Sequence, residues 1–314
     1  MNISYSRVSS YLGCPYGHYL RYVEGLSPNK PARPLYFGSN FHKLLEFRND
    51  PEGLEKAKQE IANQYYDMKP QFQEELGENY IEDLATIFAD YQETWKDCPQ
   101  PTLTEQRFEI PMGKFKGEQV NFIGVIDEVY DSGTLKIGEH KTFSRKPDQS
   151  LLVMNTQKCL YAKACETLYG SMPESVIWDY IHSTPADEPV WLEKSQRFSA
   201  AKSAKITPYS WKRACEKRGI TDSSVVSDGE KYRDNISNYF FKVEQDFIPE
   251  MVDSIWEGFK FTAKQIVKFG EVNKAKHITP SCAWCSFQPI CYAELTGANR
   301  DYLIEKDFEK RKKE

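Results

Sequence analysis

Long apolar runs are missing from this sequence. No segment approaches the roughly 18 consecutive apolar residues of a membrane-spanning helix, which disfavours an integral membrane protein of the helical type. The first residues also lack a basic segment followed by an apolar stretch, so no secretory signal is recognised and we expect a cytoplasmic protein. A G-x-x-x-x-G-K-[ST] loop is absent too, which excludes a P-loop motor within this sequence.

An excess of positive charge is likewise missing. The 41 Lys and Arg residues are outnumbered by 46 Asp and Glu residues, and the net charge is −5. This total disfavours binding of nucleic acid through overall charge, although local basic segments beside a divalent cation can outweigh it. Two such segments are the stretch 200–221, which runs from Lys202 to Arg218 with Tyr209 and Trp211 between the basic residues, and the helical stripe Lys260, Lys264 and Lys268. Both suit a DNA strand, and both are also typical of an ordinary solvated surface.

The composition is that of a folded globular protein, with 40% hydrophobic and 14% aromatic residues. Eight cysteines are present. Because disulfides are disfavoured in a reducing cytoplasm, clustered cysteines there are more often ligands of a metal or a cluster.

Hydrophobic periodicity predicts an α/β fold, because helical and strand patterns alternate along the chain. The predicted elements are a helix capped by Ser39, two helices between Gly53 and Asp97, a three-stranded meander from Phe108 to Ile137, a helix at 155–169, strands at 176–181 and 190–198, and a helical segment at 228–269 kinked at Pro249. We expect one compact unit over residues 1–304, with its core at 105–200. A frayed, charged tail is expected at 305–314.

Two carboxylates and a lysine are predicted to meet on neighbouring strands. Asp127 ends the strand sequence Gly-Val-Ile-Asp at 124–127, and Glu139-His140-Lys141 follows on the next strand. Side chains alternate along a strand, so Glu139 and Lys141 share a face, and Asp127 can join them across the hairpin. Carboxylates hold Mg²⁺ or Mn²⁺, which supports attack of water on a phosphodiester. The alternative is an exposed Glu–Lys strand pair without catalytic significance.

These segments resemble the PD-(D/E)xK nuclease superfamily, particularly its RecB-like branch. That branch has a Gly-x-x-x-His element, a Gly-hydrophobic-hydrophobic-Asp strand, a (D/E)-x-K strand and a helix with Gln-x-x-x-Tyr. The matching segments are, in the same order, Gly38 to His42, Gly124 to Asp127, Glu139 to Lys141, and Gln157 to Tyr161.

The resemblance implies a restriction-endonuclease-like core, in which helices flank a mixed central sheet, with a helical elaboration. It implies cleavage of DNA, with Asp127 and Glu139 as metal ligands and Lys141 assisting the attacking water. His42 would be a further ligand, and Gln157 and Tyr161 would be accessory catalytic groups. Taken alone, His42 would more often be a structural hydrogen-bonding residue, and Gln157 and Tyr161 would more often be a polar residue and a half-buried tyrosine of a helix.

A second constellation consists of cysteines. Cys282, Cys285 and Cys291 form a C-x2-C-x5-C pattern, and thiolates favour zinc or an iron–sulfur cluster. A fourth ligand is needed, and the residues alone do not choose among Cys14, Cys98, Cys159, Cys165 and Cys215. For the last three of these, buried free cysteine is the alternative.

Iron–sulfur members of the RecB-like group, including AddB-type and CRISPR-adaptation nucleases, place one cysteine before the nuclease core and three after it. The resemblance therefore selects Cys14 as the fourth ligand and implies a [4Fe-4S] cluster held by Cys14, Cys282, Cys285 and Cys291. The cluster module would join residues 1–30 to residues 270–295. A zinc ion on the same cysteines is the alternative.

We therefore expect a Mg²⁺- or Mn²⁺-dependent DNA exonuclease that acts on single-stranded DNA or DNA with free ends in recombination, repair or processing. It would act alone or with a helicase or recombination partner. Two other hypotheses stay open, a non-catalytic DNA-binding subunit of such a complex and a zinc-stabilised RNA-processing factor. The intact Asp127, Glu139 and Lys141 argue against the first of these.

Overall fold

The structure is a computed structural model that describes residues 1–30, 32–199 and 203–311. Its α-helices are α1 Tyr5–Gly13, α2 Pro15–His18, α3 Arg33–Glu46, α4 Pro51–Tyr66, α5 Pro70–Leu76, α6 Tyr80–Trp95, α7 Thr156–Tyr169, α8 Pro208–Lys217, α9 Ser223–Ser227, α10 Pro249–Phe269, α11 Gln288–Thr296 and α12 Arg300–Asp307. Its strands are β1 Asn2–Ser4, β2 Leu26–Pro28, β3 Leu103–Phe115, β4 Glu118–Asp131, β5 Leu135–Phe143, β6 Ser175–His182, β7 Trp191–Leu192, β8 Arg197–Phe198, β9 Phe240–Asp246 and β10 Phe308–Lys310.

A mixed sheet of six strands is organised around β4. Along one side of β4, β3 pairs antiparallel with almost its whole length. Along the other side of β4, two strands pair with different parts of it. There, β1 pairs parallel with residues 121–123, and β5 pairs antiparallel with residues 128–131. Within the described residues, positions 124–127 therefore have no strand partner on that side. The Gly-Val-Ile-Asp segment lies at this fork in the sheet.

Beyond β5 the sheet continues with β6, which runs parallel to β5, and with β9, which runs antiparallel to β6. Successive side chains of β6 reach different hydrophobic clusters. Tyr180 packs with the cluster that includes residues of α7 and α10, whereas Ile181 packs with the cluster formed by α3, α4 and α6. Because neighbouring side chains in a strand point to opposite faces, helices cover both faces of the sheet. The predicted α/β architecture with a mixed, helix-flanked sheet is confirmed.

The two ends of the described chain meet in a smaller hydrophobic cluster. Tyr16 and Leu20 from the amino-terminal part pack with Phe287, Ile290 and Phe308 from the carboxy-terminal part. In addition, β10 pairs antiparallel with β2. The prediction of a frayed tail is therefore wrong for residues 305–310, which complete α12 and form β10. These residues are ordered because Phe308, which is 8% exposed, packs into the cluster. Residues 312–314 lie outside the described part.

Several boundaries differ from the predictions. Ser39 lies inside α3, which begins at Arg33 with Pro34 in its first turn, so Ser39 caps nothing. The region between Gly53 and Asp97 holds parts of three helices instead of two, since α5 lies between α4 and α6. The strand expected at 190–198 is a small hairpin of β7 and β8.

The region 228–269 is the largest error. A 3-10 helix covers Asp228–Asn238, β9 follows, and α10 begins only at Pro249. Proline fits the first turn of a helix because its missing N–H would be unpaired there in any case, so Pro249 starts α10 and does not kink it. The strand β9 was not predicted because its sequence contains several charged residues. Charged residues are common on strands at the edge of a sheet.

Candidate active site

Gly38 lies where α3 packs on β5. A Cβ atom at this position would lie 3.3 Å from the Thr142 hydroxyl oxygen, which would have to shift by a few tenths of an ångström. One helical turn later, His42 faces Asp127, and its Nδ1 lies 3.6 Å from Asp127 Oδ1. Gly38 and His42 therefore both lie on the side of α3 that meets β5 and Asp127.

Asp127 lies where β4 and β5 separate. Its Oδ2 accepts a hydrogen bond of 2.8 Å from the backbone N–H of His140, which fixes the carboxylate against β5. Nearby, Gly124 leaves room for the Phe108 ring, since a Cβ atom there would come within 2.5 Å of it. The same ring contacts Tyr161 of α7 with a centroid separation of 5.7 Å, which brings α7 against the fork.

Glu139, Lys141 and Gln157 form one hydrogen-bonded group. Lys141 Nζ donates to Glu139 Oε1 at 2.6 Å and to Gln157 Oε1 at 3.2 Å. The Gln157 amide donates to Glu139 Oε1 at 2.8 Å and to the Tyr161 hydroxyl at 3.1 Å. The structure thus places the Gln-x-x-x-Tyr helix directly against the Glu-x-Lys strand.

Three potential ligand atoms converge beside this group. His42, Glu105 and Asp127 each offer one atom within 4.8 Å of the others, and His42 Nδ1 lies 3.7 Å from Glu105 Oε1. Around an octahedral Mg²⁺ ion with bonds of about 2.1 Å, ligand atoms lie about 3 to 4 Å apart. The residues therefore fit a small divalent cation.

Glu139 supplies a further observation in favour of a cation. Its residue is 5% exposed, and its Oε2 is buried without a hydrogen-bond partner in the described chain. Burial and the charge of Asp127 raise the pKa of Glu139 to about 7, although Lys141 opposes the shift. A buried carboxylate oxygen without a donor is costly, and a cation would satisfy it.

Glu105 was missed at the level of the sequence. It lies on β3 directly opposite Asp127, since Thr104 pairs with Glu128 and Gln106 with Ile126. Its φ angle is 48°, in the left-handed region that a non-glycine residue rarely adopts inside a strand. Such strain is often found at functional sites. No short motif signals this residue, because its position depends on the register of β3 with β4.

The protonation of His42 reflects this acidic surrounding. Burial would lower the pKa of His42, but its contact with Glu105 and the charge of Asp127 outweigh that effect and raise it. The imidazole lies between the carboxylates of Glu105 and Asp127.

A buried charged network lies behind the fork. Glu128 Oε1 contacts Arg48 Nη1 at 2.7 Å and His140 Nε2 at 3.1 Å, and His140 Nδ1 lies 3.1 Å from Asp179 Oδ2. The Tyr91 hydroxyl donates to the same Asp179 oxygen at 2.5 Å. Although burial opposes it, the charge of Glu128 and the hydrogen bonds to both carboxylates raise the pKa of His140 to about 10. His140 is therefore a buried cation joining β4, β5 and β6.

The four predicted cluster cysteines line one cavity of about 420 Å³ between the chain ends. Cys14 separates α1 from α2, and Cys282 lies in the 3-10 helix Pro280–Trp284, with Cys285 immediately after it. Backbone N–H groups point at two of the sulfurs, from Gly17 to Cys14 at 3.5 Å and from Thr279 to Cys282 at 3.4 Å.

The four cysteine sulfurs do not form one tight group. Within the described chain, no three of them come within 4.8 Å of one another. A tetrahedral zinc ion with Zn–S bonds of about 2.3 Å would hold its sulfurs about 3.8 Å apart. Cys159, Cys165 and Cys215 are fully buried in other hydrophobic clusters and do not line this cavity.

The predicted stacking surface on α8 needs correction. Trp211 is 2% exposed, packs on Phe198 and Tyr232, and donates its indole N–H to Val225 O at 2.8 Å. It is a core residue and cannot stack on a DNA base. Tyr209 is half-buried, and its hydroxyl contacts Thr94 at 3.2 Å. Lys202 lies outside the described residues.

The basic stripe on α10 is present. Lys264 and Lys268 are exposed and Lys260 is half-buried. Lys116 from the β3–β4 turn donates to the Lys268 carbonyl at 3.5 Å, and Lys264 lies over the Phe115 ring. The stripe therefore extends onto the tip of the β3–β4 hairpin.

The chain belongs to the PD-(D/E)XK nuclease superfamily, because the model of that family matches residues 2–292. Nucleases of this superfamily use divalent metals and act on DNA. The match spans His42, the sheet fork and all four cluster cysteines. No curated protein matches the sequence.

The solved structures that are similar to this chain include the following two. One is a candidate exonuclease from Eubacterium rectale, with 12% identity and a TM-score of 0.47, covering 90% of this chain and 87% of the other. The second is the protein SSO0001, with 10% identity and a TM-score of 0.33, covering 82% of this chain and 94% of the other.

Each helix in the described ranges is too short or too polar to cross a bilayer.

Proposed function

We propose that this protein is a Mg²⁺- or Mn²⁺-dependent DNA exonuclease. The observation that carries the proposal is the convergence of Asp127, Glu139 and Lys141 with His42 at the fork of the sheet. A non-catalytic DNA-binding subunit would have no need of this complete set. The Asp127 carboxylate accepts a hydrogen bond from the backbone N–H of His140, and the Glu139 carboxylate accepts one from the side chain of Gln157.

The roles follow from the contacts. His42, Glu105, Asp127 and the unpaired Oε2 of Glu139 would hold the cation. The bound ion would supply Lewis-acid charge and a water of lowered pKa. Lys141, held by Glu139 and Gln157, would donate to a phosphate oxygen and stabilise the charge that develops there. Tyr161 would fix the Gln157 amide through its hydroxyl.

Glu105 provides a prediction that separates metal binding from activity. Replacing Glu105 with Gln should weaken Mn²⁺ binding by at least about tenfold, because one anionic ligand is lost. Calorimetry or Mn²⁺ electron paramagnetic resonance with the wild type and variant measures this directly. Glu109→Gln, on the same strand but exposed, is the matched control and should bind Mn²⁺ normally.

A second variant at this position tests the backbone strain. Glu105→Asn should bind Mn²⁺ weakly yet unfold at an unchanged or higher temperature without metal, because Asn tolerates positive φ angles better than Glu. Unaltered Mn²⁺ affinity in both variants would remove Glu105 from the ligand set.

End-dependent cleavage is the second prediction. If strands pass the metal site from a free end, linear single-stranded DNA should be degraded while the same sequence in a closed circle is largely spared. The assay compares both at equal nucleotide concentration, low salt and Mn²⁺, since phosphate contacts weaken as salt rises. Equal rates on both substrates would reject an exonuclease in favour of an endonuclease.

The proposal includes a [4Fe-4S] cluster on Cys14, Cys282, Cys285 and Cys291. The feature that supports it is the cavity that all four cysteines line. The cluster would fasten the amino-terminal helices to the segment around α11, so its role would be structural.

Purification without oxygen tests the cluster. The protein should be brown, absorb broadly near about 400 nm and contain iron and sulfide. Cys282→Ser should remove the colour and lower solubility because cluster binding is coupled to folding, whereas Cys215→Ser should keep the colour. Colourless protein with one equivalent of zinc would contradict the cluster.

The remaining parts of the proposal concern context. Residues 1–304 would act as one nuclease unit in the cytoplasm, in DNA recombination, repair or processing, with or without a helicase partner. Comparing cleavage of DNA and RNA of the same sequence separates this proposal from an RNA-processing role.

A further inference from the structure

The face of the sheet that carries Glu139 and Lys141 continues into a row of aromatic rings. Phe143 is the next residue on that face of β5, because side chains alternate along a strand. The register pairs Lys141 with Tyr180 on β6, and Tyr180 with Phe241 on β9. The aromatic row, defined as Phe143, Tyr180 and Phe241, therefore begins beside the lysine of the candidate active site.

The three rings of the aromatic row contact one another. Tyr180 and Phe241 stack with their ring centroids 4.7 Å apart and an interplanar angle of 13°. Phe143 meets both of them edge-on, with its centroid 6.2 Å from that of Tyr180 and 5.5 Å from that of Phe241. Tyr180 is 3% exposed, whereas Phe143 and Phe241 are half-buried. The row therefore presents two rings to solvent, and the buried third ring holds them in place.

Helix α7 begins at the end of the sheet where the aromatic row lies. It connects the end of β5 to the start of the parallel strand β6, so it runs back along both strands. Its residue Lys158 donates to Gln245 Oε1 at 3.3 Å, and Trp178 of β6 donates to the same oxygen at 3.1 Å. Trp178 precedes Tyr180 by two residues, or about 7 Å along a strand. The first turn of α7 thus lies over Trp178, and the aromatic row comes after it.

The loop that follows β5 adds positive charge beside the aromatic row. Lys146 Nζ lies 4.9 Å from the centroid of the Phe241 ring. Arg145 and Lys146 are exposed, and neither forms an ion pair with a carboxylate in the part of the chain that the structure describes. Asp148, the acidic residue of this loop, accepts a hydrogen bond of 2.9 Å from the backbone N–H of Ser150. Positive charge therefore outweighs negative charge beside the rings.

We propose that the aromatic row binds the bases of single-stranded DNA next to the scissile phosphate. Every base has a flat π-face, and half-buried rings beside cations suit a strand whose bases are unpaired. A base can replace the Lys146 ammonium group on the Phe241 ring, while Lys146 and Arg145 contact the adjoining phosphates. Bases in a duplex stay stacked on one another, so the row favours single strands. This inference rests on the proposed function, because it takes DNA as the substrate.

The test measures binding of labelled oligonucleotides to the intact protein by fluorescence anisotropy, with EDTA present so that no strand is cleaved. Three ligands of equal length are compared, namely single-stranded oligothymidylate, an abasic strand with the same phosphates, and a duplex. The wild type should bind oligothymidylate about tenfold or more tightly than the other two, since stacking of bases on aromatic rings contributes at this level.

Variants separate the rings from the cations. Phe241→Leu should remove most of the preference for the base-containing strand, whereas Phe241→Tyr keeps a ring and should bind like the wild type. Lys146→Gln should weaken binding of the abasic and base-containing strands equally and lower the salt dependence, because one phosphate contact is lost. Lys69 lies over the half-buried Phe72 ring elsewhere on the surface, so Lys69→Gln and Phe72→Leu are matched controls that should not change binding.

A second measurement needs no variant and applies even if Phe241→Leu does not fold. A 2-aminopurine base within the single strand should lose fluorescence when the wild type binds it, because stacking on an aromatic ring quenches this base. Unchanged fluorescence in the bound strand would overturn the inference. Equal affinity for the base-containing and abasic strands, tighter binding of the duplex, or a normal base preference in folded Phe241→Leu would each overturn it as well.

The same experiment distinguishes this inference from the proposed function. Base-dependent binding by a protein that never cleaves DNA with Mn²⁺ would support the aromatic row and contradict the nuclease proposal. Cleavage of DNA without any base preference would do the reverse.

Discussion

Replacing Asp127 or Glu139 with alanine is expected to lower the rate of metal-dependent DNA cleavage to about one-thousandth of the wild-type value or less, because each change removes a metal ligand at the reacting centre. Lys141→Ala should cost about a hundredfold or more if its ammonium group stabilises transition-state charge. Initial rates on end-labelled DNA at saturating Mn²⁺ give these numbers.

A matched control comes from the same sheet. Glu244 on β9 forms an ion pair with Lys136 on β5 at 2.7 Å, across the intervening β6, and lies outside the candidate site. Glu244→Ala should leave cleavage unchanged. Circular dichroism and cluster colour should be normal in all variants. If Asp127→Ala or Glu139→Ala keeps its activity, the reaction takes place elsewhere.

Loss of the buried cation His140 is expected to have the largest effect on stability. His140→Gln should reduce the free energy of unfolding by about 3–5 kcal/mol, because it leaves the buried carboxylates of Glu128 and Asp179 without their shared cation. Chemical denaturation at pH 7 measures the loss. The double variant Glu128→Gln with His140→Gln should recover part of it, since one uncompensated charge is then removed.

The pH dependence gives an independent check on His140. Its pKa is about 10 in the folded protein, whereas an unfolded histidine titrates near about 6.5. Because its pKa is higher in the folded state, protonated His140 stabilises the folded protein fully at a pH below its unfolded pKa. This contribution to the free energy of unfolding is lost as the pH rises through about 10. Wild type should therefore lose stability between pH 7 and 10 more steeply than His140→Gln. Identical slopes would show that His140 carries no buried charge.

Which motif residues lie side by side could be predicted from the sequence where their spacing is local. Strand alternation places Glu139 and Lys141 on one face, and helical spacing brings Gln157 and Tyr161 together. The packing then explains one motif glycine, Gly124, whose missing side chain admits the Phe108 ring.

What could not be predicted depends on long-range register. Glu105 reaches the site because β3 pairs with β4 in one register and because its φ angle is positive. The role of His140 was hidden for a similar reason, since its partners Glu128 and Asp179 lie on other strands. Trp211 looked like a stacking residue because a sequence does not reveal which side of a short amphipathic helix is covered.

The most direct test of the central claim uses wild-type protein purified without oxygen, with end-labelled linear single-stranded DNA. Adding Mn²⁺ should release short labelled products, and EDTA should stop their release, because the ligands around Asp127 then lack their ion. Intact DNA after prolonged incubation of cluster-containing, folded protein with Mn²⁺ or Mg²⁺ would contradict the assignment of this protein as a metal-dependent nuclease.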